Sequence, residues 1–288
     1  MKIRAIAYIV LAGLLWGTSG IFVRFLEPYG TSPMQMTFVR GFVAAVAVGI
    51  YILITNKSLF KIKKENIPFY IGSGICILLT AVLYYSSMQK TSVATSVILM
   101  YMAPVYVMIY SVLFLKEKFT FLKGIAIVLM LIGCALVSGV AGGLKYDLAG
   151  ILLGILSGIT YGAYSIITKI EMQRQFNSLS ATFYCYFVMA VISMCVSRPV
   201  AVFSVAASSW QSMFLMIGLG IFTFALPYFL YNLGLQKIPA GTASSLAVVE
   251  PLAATFYSTM FFNEPLDVFS IVGFISIVVS VIMLSRAD

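Results

Sequence analysis

The sequence has no histidine, and only 9% of its 288 residues are charged, 18 basic and 9 acidic. Soluble domains carry about 25% charged residues. A chain with 61% hydrophobic residues therefore has too little polar surface to cover a water-soluble body of this size. Without histidine, the foremost candidate for carrying a proton is Glu250. The four cysteines, Cys76, Cys134, Cys185 and Cys195, form no CxxC pair and sit in apolar runs. They read as packing residues, not as ligands or disulfide partners. No GxxxxGK[ST] loop is present, which excludes nucleotide hydrolysis through a P-loop. GxSxG, a metal-ligand cluster and a paired acid within one apolar run are also missing, so no catalytic set is visible and no cofactor is implied. The net charge of +9 does not indicate a nucleic-acid partner. The basic residues lie in short segments between apolar runs, where they serve as topology signals. Long linkers, soluble domains and low-complexity tails are absent.

What remains is continuous apolar sequence. A membrane admits only helices or closed barrels, and barrel strands would alternate apolar and polar residues. The unbroken runs predict an all-α integral membrane protein. Spans of roughly 20 residues fall near 5–25, 33–54, 67–88, 92–115, 121–141, 148–168, 179–197, 210–233, 240–262 and 266–285. The opening "MKIRAIAYIVLAGLLW" resembles a signal peptide but lacks a small-x-small cleavage site, and reads as an uncleaved first span. With the amino terminus inside, thirteen basic residues fall in cytoplasmic segments against four outside (Arg24, Lys90, Lys145 and Arg198). That asymmetry predicts both termini in the cytoplasm and a multi-pass protein of the cell membrane. Only Arg40 and Glu250 are left well within spans.

The chain also repeats itself. Gly13, Trp16, Gly17 and Arg24 match Gly158, Tyr161, Gly162 and Lys169 at a shift of 145. Further on the shift is 147, pairing Gln89-Lys90 with Gln236-Lys237, Pro104 with Pro251, and Glu117 with Glu264. The expected units are residues 1–143 and 144–288, five spans each, in one integrated membrane domain. Because five is odd, the second unit enters the membrane from the opposite side. Inverted repeats of this kind are typical of secondary transporters, which bind substrate near the midplane between the repeats.

"LLWGTSGIFVRFL" and the related stretches "MAPVYVMIYSVLFLKEKFTFLKGIAIVLMLIG" and "VEPLAATFYSTMFFNEPLDVFSIVGFISIVVSVIML" resemble the drug/metabolite transporter superfamily, specifically its EamA-type family. The resemblance covers nearly the whole chain. It implies ten helices in two inverted five-helix repeats around a cavity that opens alternately to each side. It implies movement of small metabolites, often export, without identifying one. In the second half the family's Trp-Gly position is Tyr161-Gly162, which departs from a paired-tryptophan pattern.

Glu250 lies near the middle of its span, where a charged carboxylate costs on the order of 2.5–3.5 kcal/mol on insertion scales. Either it lines a wet cavity and binds a cationic group, a proton or both, or it hydrogen-bonds a neighbouring helix as glue. Its partner in the first half is Ala103, so the fold alone does not require an acid there. Pro251 and Pro104 each remove a helical hydrogen bond at symmetric places. Paired interruptions of this kind point to a transporter site and gating helices. Pro227 has no counterpart and reads as a bend specific to the second half. Arg40 could hold a substrate carboxylate, pair with Glu250 or a helix carbonyl, or snorkel. Trp16, Tyr84, Tyr85, Tyr101, Tyr161, Tyr164, Tyr228 and Tyr231 fall within spans and could wall a cavity by stacking or cation–π contact; Trp16, Tyr161 and Tyr231 are the preferred candidates, and Asn232 is a polar one. Ordinary packing is the alternative for each. Gly150, Gly154, Gly158 and Gly162 form a smooth stripe for packing within the monomer, for sliding, or for a dimer. Glu117 and Glu264-Pro265 read as helix-end residues.

The expected function is secondary transport by alternating access, most simply export of an amino acid or related metabolite. The partners would be a small-molecule substrate, the bilayer and protons, with Glu250 as carrier, in a monomer or homodimer. A proton-coupled organic-cation transporter and a non-transporting permease subunit or scaffold are the alternatives.

Overall fold

A computed structural model describes residues 2–91, 96, 99–114, 116, 118–137, 147–262 and 268–286. The boundary at 143/144, Glu117, Glu264, Pro265 and Lys145 lie outside the described residues. All regular structure among the described residues is helical. Six helical segments are long and apolar enough to cross a membrane: Ile3–Tyr29, Pro33–Thr55, Lys64–Ser87, Leu148–Gln173, Trp210–Leu235 and Ala240–Phe262. They correspond to the first, second, third, sixth, eighth and ninth expected spans. The seventh is a bent pair, Ser178–Met194 and Pro199–Ser208, meeting at 103°. Shorter apolar helices, Ala103–Phe114, Phe121–Leu136 and Ile271–Leu284, occupy the fourth, fifth and tenth places.

Local chemistry sets several boundaries. The second span starts at a capping box: the Ser32 side chain accepts from the Gln35 N–H, the Gln35 side chain accepts from the Ser32 N–H, and Pro33 takes the first helical position. That satisfies orphan donors a helix start otherwise leaves open. The turn before it runs through Gly30 at φ 70°, a left-handed conformation that favours glycine. The sharp bend in the seventh span carries Arg198 at φ 52°, with Pro199 opening the next helix.

Packing exchanges the two halves. The third span lies along the sixth as the eighth lies along the first; the second packs on the seventh and the fifth on the tenth. The repeat glycines follow the same exchange. A Cβ at Gly17 would lie 2.6 Å from the Ala253 Cβ and 3.0 Å from the Glu250 carbonyl oxygen. One at Gly158 would lie 2.7 Å from the Leu99 carbonyl oxygen and 3.2 Å from that of Met100. Gly13 faces the Ala247 carbonyl as Gly158 faces that of Met100, and Gly17 faces the Glu250 carbonyl as Gly162 faces that of Ala103. The first span thus docks on the interrupted ninth, and the sixth on the interrupted fourth. Gly150, Gly154 and Gly158 are spent on Thr91 and Leu99 of this same chain, so the stripe is a packing face within the monomer.

Candidate functional site

The ninth span is two helices, Ala240–Leu246 and Val249–Phe262. Pro251 therefore does not kink a continuous helix; it sits in the first turn of the second one, where its missing N–H is least disruptive. The carbonyl it cannot bond, that of Ala247, accepts instead from the Glu250 N–H at 3.0 Å. Tight i→i+3 bonds also close the turn before it, with the Val248 N–H donating to Ser245 O at 3.2 Å. The break presents Glu250 sideways, half-buried. Pro104 occupies the matching position, second in the helix Ala103–Phe114, after an i→i+3 bond from the Met102 N–H to Leu99 O.

Glu250 looks into a cavity of about 110 Å³. Around it stand Trp16 and Ser19 of the first span, Arg40 of the second, and Thr80, Tyr84 and Tyr85 of the third. Tyr161 of the sixth and Thr223, Phe224 and Tyr228 of the eighth complete the polar and aromatic wall. Typical small-molecule pockets hold about 300–1,000 Å³, so in this conformation the cavity admits the charged head of a metabolite and not its whole body. A larger groove of about 450 Å³ lies between the second and seventh spans, but it is lined by apolar residues such as Phe38, Phe42, Phe183 and Phe187 and one glycine. It has no polar side chain to orient a ligand.

Four of the residues singled out in the sequence, Glu250, Arg40, Trp16 and Tyr161, meet at this one cavity. Arg40 Nη1 donates to the Tyr85 hydroxyl at 3.4 Å, while Arg40 Nε is buried without a partner. The only ion pair among the described residues is Lys63–Glu65, so Arg40 and Glu250 share a chamber without neutralising each other in direct contact. Trp16 stands edge-on to Tyr228 with centroids 4.8 Å apart, and its Nε1 is buried without an acceptor. Two donors, Trp16 Nε1 and Arg40 Nε, thus lack partners in residues that wall the cavity, where an unmade hydrogen bond is costly.

Tyr231 and Asn232 are placed elsewhere. Tyr231 is fully buried, leans on Trp16 at 5.6 Å and donates its hydroxyl to Ser165 at 3.1 Å. Asn232 donates to Thr182 at 2.9 Å and accepts from Tyr164 at 3.4 Å, tying the eighth span to the seventh and sixth. Both stand behind the wall as supports. Pro227 does not bend its span sharply: Trp210–Leu235 counts as one crossing. Ahead of the proline lies a π-helical turn, Ile221–Ala225, with the Leu226 N–H reaching back to Ile221 O. Such turns re-aim side chains and are frequent at functional sites; here the turn carries Thr223 and Phe224, which line the cavity.

Tyr84, Tyr85 and Tyr228, from the wider aromatic set, also line the cavity; sequence reasoning missed Thr80 and Thr223, and the proximity of Thr223 to Pro227 was the available signal. It also missed three buried charged side chains, of which Lys123 donates to Lys118 O at 3.1 Å. Lys169, read as a loop charge, is buried and donates to Leu235 O at 2.9 Å and Ile238 O at 2.6 Å, capping the carbonyl end of the eighth span. Glu171 is 1% exposed, which corrects the expectation that Arg40 and Glu250 are the only ionisable residues held within the membrane body.

The comparisons agree with this architecture. An uncharacterized transporter of Archaeoglobus fulgidus is 29% identical over 282 residues, 97% of this chain and 96% of that protein. The uncharacterized transporter YwfM of Bacillus subtilis is 25% identical over 281 residues, covering 97% and 93%. A solved crystal structure superposes with a TM-score of 0.81 over 98% of this chain and 96% of its own, at 16% identity, a likeness of fold alone. The model of the EamA-like transporter family matches twice, over residues 3–139 and 148–286. The chain is a multi-pass membrane protein and belongs to the EamA-like transporter family.

Proposed function

We infer that this protein is a secondary active transporter whose substrate is a small zwitterion, an amino acid or a related metabolite, moved outward across the cell membrane by alternating access. One observation carries the reading: a carboxylate and a guanidinium, Glu250 and Arg40, line one cavity without an ion pair between them. Glu250 takes the substrate ammonium group. Arg40, whose planar fork suits a carboxylate, takes the acid group, and Trp16 supplies a further N–H. A proton competes with the ammonium group for Glu250, which couples the two. The thirteen-to-four distribution of basic residues supports cytoplasmic termini. The glycine stripe is occupied inside the chain, which favours a working monomer.

A second reading, transport of an organic cation, is favoured by the aromatic wall of Trp16, Tyr84, Tyr161 and Tyr228, since aromatic faces attract desolvated cations. The two readings separate in proteoliposomes. Counterflow of labelled amino acids and of a quaternary ammonium compound is measured for the native protein, Arg40→Ala and Glu250→Gln. Loss of amino-acid flux in both variants supports the zwitterion. Cation flux that survives Arg40→Ala and fails only in Glu250→Gln supports the second reading. Native rates for every solute in Glu250→Gln overturn both.

A further inference from the structure

Glu171 lies near the end of the sixth span, four residues before the left-handed turn formed by the Gln175 backbone. The segment around it, Lys169 to Gln173, is polar enough to read as a loop. Yet Glu171 is 1% exposed, and its Oε1 has no hydrogen-bond partner. On the third span it faces Ser73, whose hydroxyl interacts with the carboxyl, and Tyr70; on the seventh it faces Cys185, and Cys76 of the third span adjoins the same pocket. The charged groups nearby are otherwise engaged. Lys169 on its own helix donates to the carbonyls of Leu235 and Ile238, at and just past the end of the eighth span, Arg174 lies over the Phe69 ring at 4.7 Å, and Lys63 pairs with Glu65 at the surface. A roof closes the pocket. Tyr70 stacks on Tyr184 at 5.2 Å, the Tyr184 hydroxyl donates to Phe60 O at 2.7 Å, and Ser180 donates to Leu59 O at 2.9 Å.

Removing a carboxylate from water with no cation beside it costs several kcal/mol, and the neutral acid avoids most of that cost. Packing does not demand the acid. At the shift of 145 the equivalent residue is Leu26, itself fully buried, in a cluster with Met36, Met216 and Leu219. The fold fills the same place with an aliphatic side chain at the other end of the molecule. An acid here is an addition that makes one seam, and not its symmetric twin, sensitive to a proton.

We propose that Glu171 is a second proton-binding carboxyl, separate from the cavity, and that losing its proton opens the seam between the third, sixth and seventh spans. The neutral acid sits dry under the Tyr70–Tyr184 roof; the carboxylate needs water, and water enters only if the roof lifts. This is a two-state element biased by one proton, so its response is at most about tenfold per pH unit. It goes beyond the substrate reading and does not depend on it.

The native thiols supply the test. Cys185 is buried beside Glu171, and Cys134 is buried at the fifth span, away from it. In nanodiscs, a small methanethiosulfonate reagent is applied to protein carrying Cys76→Ser, Cys134→Ser and Cys195→Ser, so that Cys185 alone reacts, with and without Glu171→Gln. The rate ratio between Glu171 and Glu171→Gln removes the thiol ionisation common to both, and repulsion between the Glu171 carboxylate and the Cys185 thiolate works against the expected rise. The ratio is expected near one at the acid end of the profile and to climb toward the alkaline end, by no more than about tenfold per pH unit. Glu171→Asp keeps the rise. In the matching protein that retains only Cys134, the ratio stays near one throughout. A flat ratio at Cys185, or an equal rise at Cys134, overturns the proposal. Should Glu171→Gln fail to fold, Glu171→Leu, which copies the Leu26 position, replaces it under the same criteria. No substrate is used, so failure here leaves the reading of Glu250 standing.

Discussion

The fourth span carries Ala103 ahead of Pro104 where the ninth carries Glu250 ahead of Pro251, although both breaks receive glycines from the opposite half. The scaffold is the same: an i→i+3 turn, a proline in the first turn of the following helix, and exposed carbonyls met by glycine. Only the ninth-span break bears a charge. The comparison separates what builds the chamber from the one acid added to it. Prolines and glycines, duplicated, make the breaks; the acid, unduplicated, gives one break its chemistry. The same contrast recurs at Glu171 and Leu26.

The sharpest way to break this comparison is Glu250→Gln. It keeps the shape of the side chain and removes its charge, and amino-acid flux in proteoliposomes is expected to fall by a hundredfold or so, the scale of losing a hydrogen-bonded charge at about 2–3 kcal/mol. Ala103→Ser, at the symmetric place, should leave flux within about twofold. Comparable losses in both variants would show that the two breaks are not divided as described. Arg40→Lys comes next: the charge stays but the fork is lost, and KM for amino acids is expected to rise roughly tenfold with little change in kcat.

A pH profile sharpens the same point. If proton and ammonium group compete for Glu250, KM rises as pH falls, because protonation removes the acceptor charge. In Glu250→Gln the residual KM should be flat with pH. A native profile that is flat, or that improves toward acid, excludes competition at this carboxyl.

Stability gives the smaller effects. Gly17→Ala and Gly158→Ala each force a Cβ within 3.0 Å of neighbouring atoms and should cost about 1–3 kcal/mol by overpacking, seen as a lowered Tm in detergent. Gly20, with nothing within 4 Å of a Cβ, should accept alanine without loss. Their repeat partners, Gly162 and Gly13, leave 3.3 and 3.2 Å to the nearest atom and should cost less, so the duplicated glycines share a place and not an equal tightness. Asn232→Ala, which orphans Thr182 and Tyr164, should lower stability by about 1–2 kcal/mol and leave KM unchanged.

Much of this was legible in the sequence because the bilayer makes apolar run length a direct measure of span number, and proline and glycine mark interruptions. The break at Pro251 and the lone acid beside it followed from residue type alone. What stayed hidden depended on neighbours distant in sequence. Glu171 sits in a polar stretch whose burial is decided by Tyr70, Tyr184 and the carbonyl groups of Leu59 and Phe60. Tyr228 and Tyr231 are one turn apart on one helix, both touch Trp16, and only the first lines the cavity; the π-helical turn that sets their register has no signature beyond the proline after it. Lys169 counted as a topology charge because its carbonyl partners lie 66 and 69 residues away.

The crossed seating of glycines on interrupted helices bears on which pieces travel together. The first span is keyed to the eighth and ninth, and the sixth to the third and fourth. Any swing that respects those keys carries a helix from each end of the gene product in each moving block. On the proposed alternating-access mechanism the moving blocks are then not the two duplicated units, and a crosslink confined to one unit, such as third to first, should block transport where one between eighth and first should not.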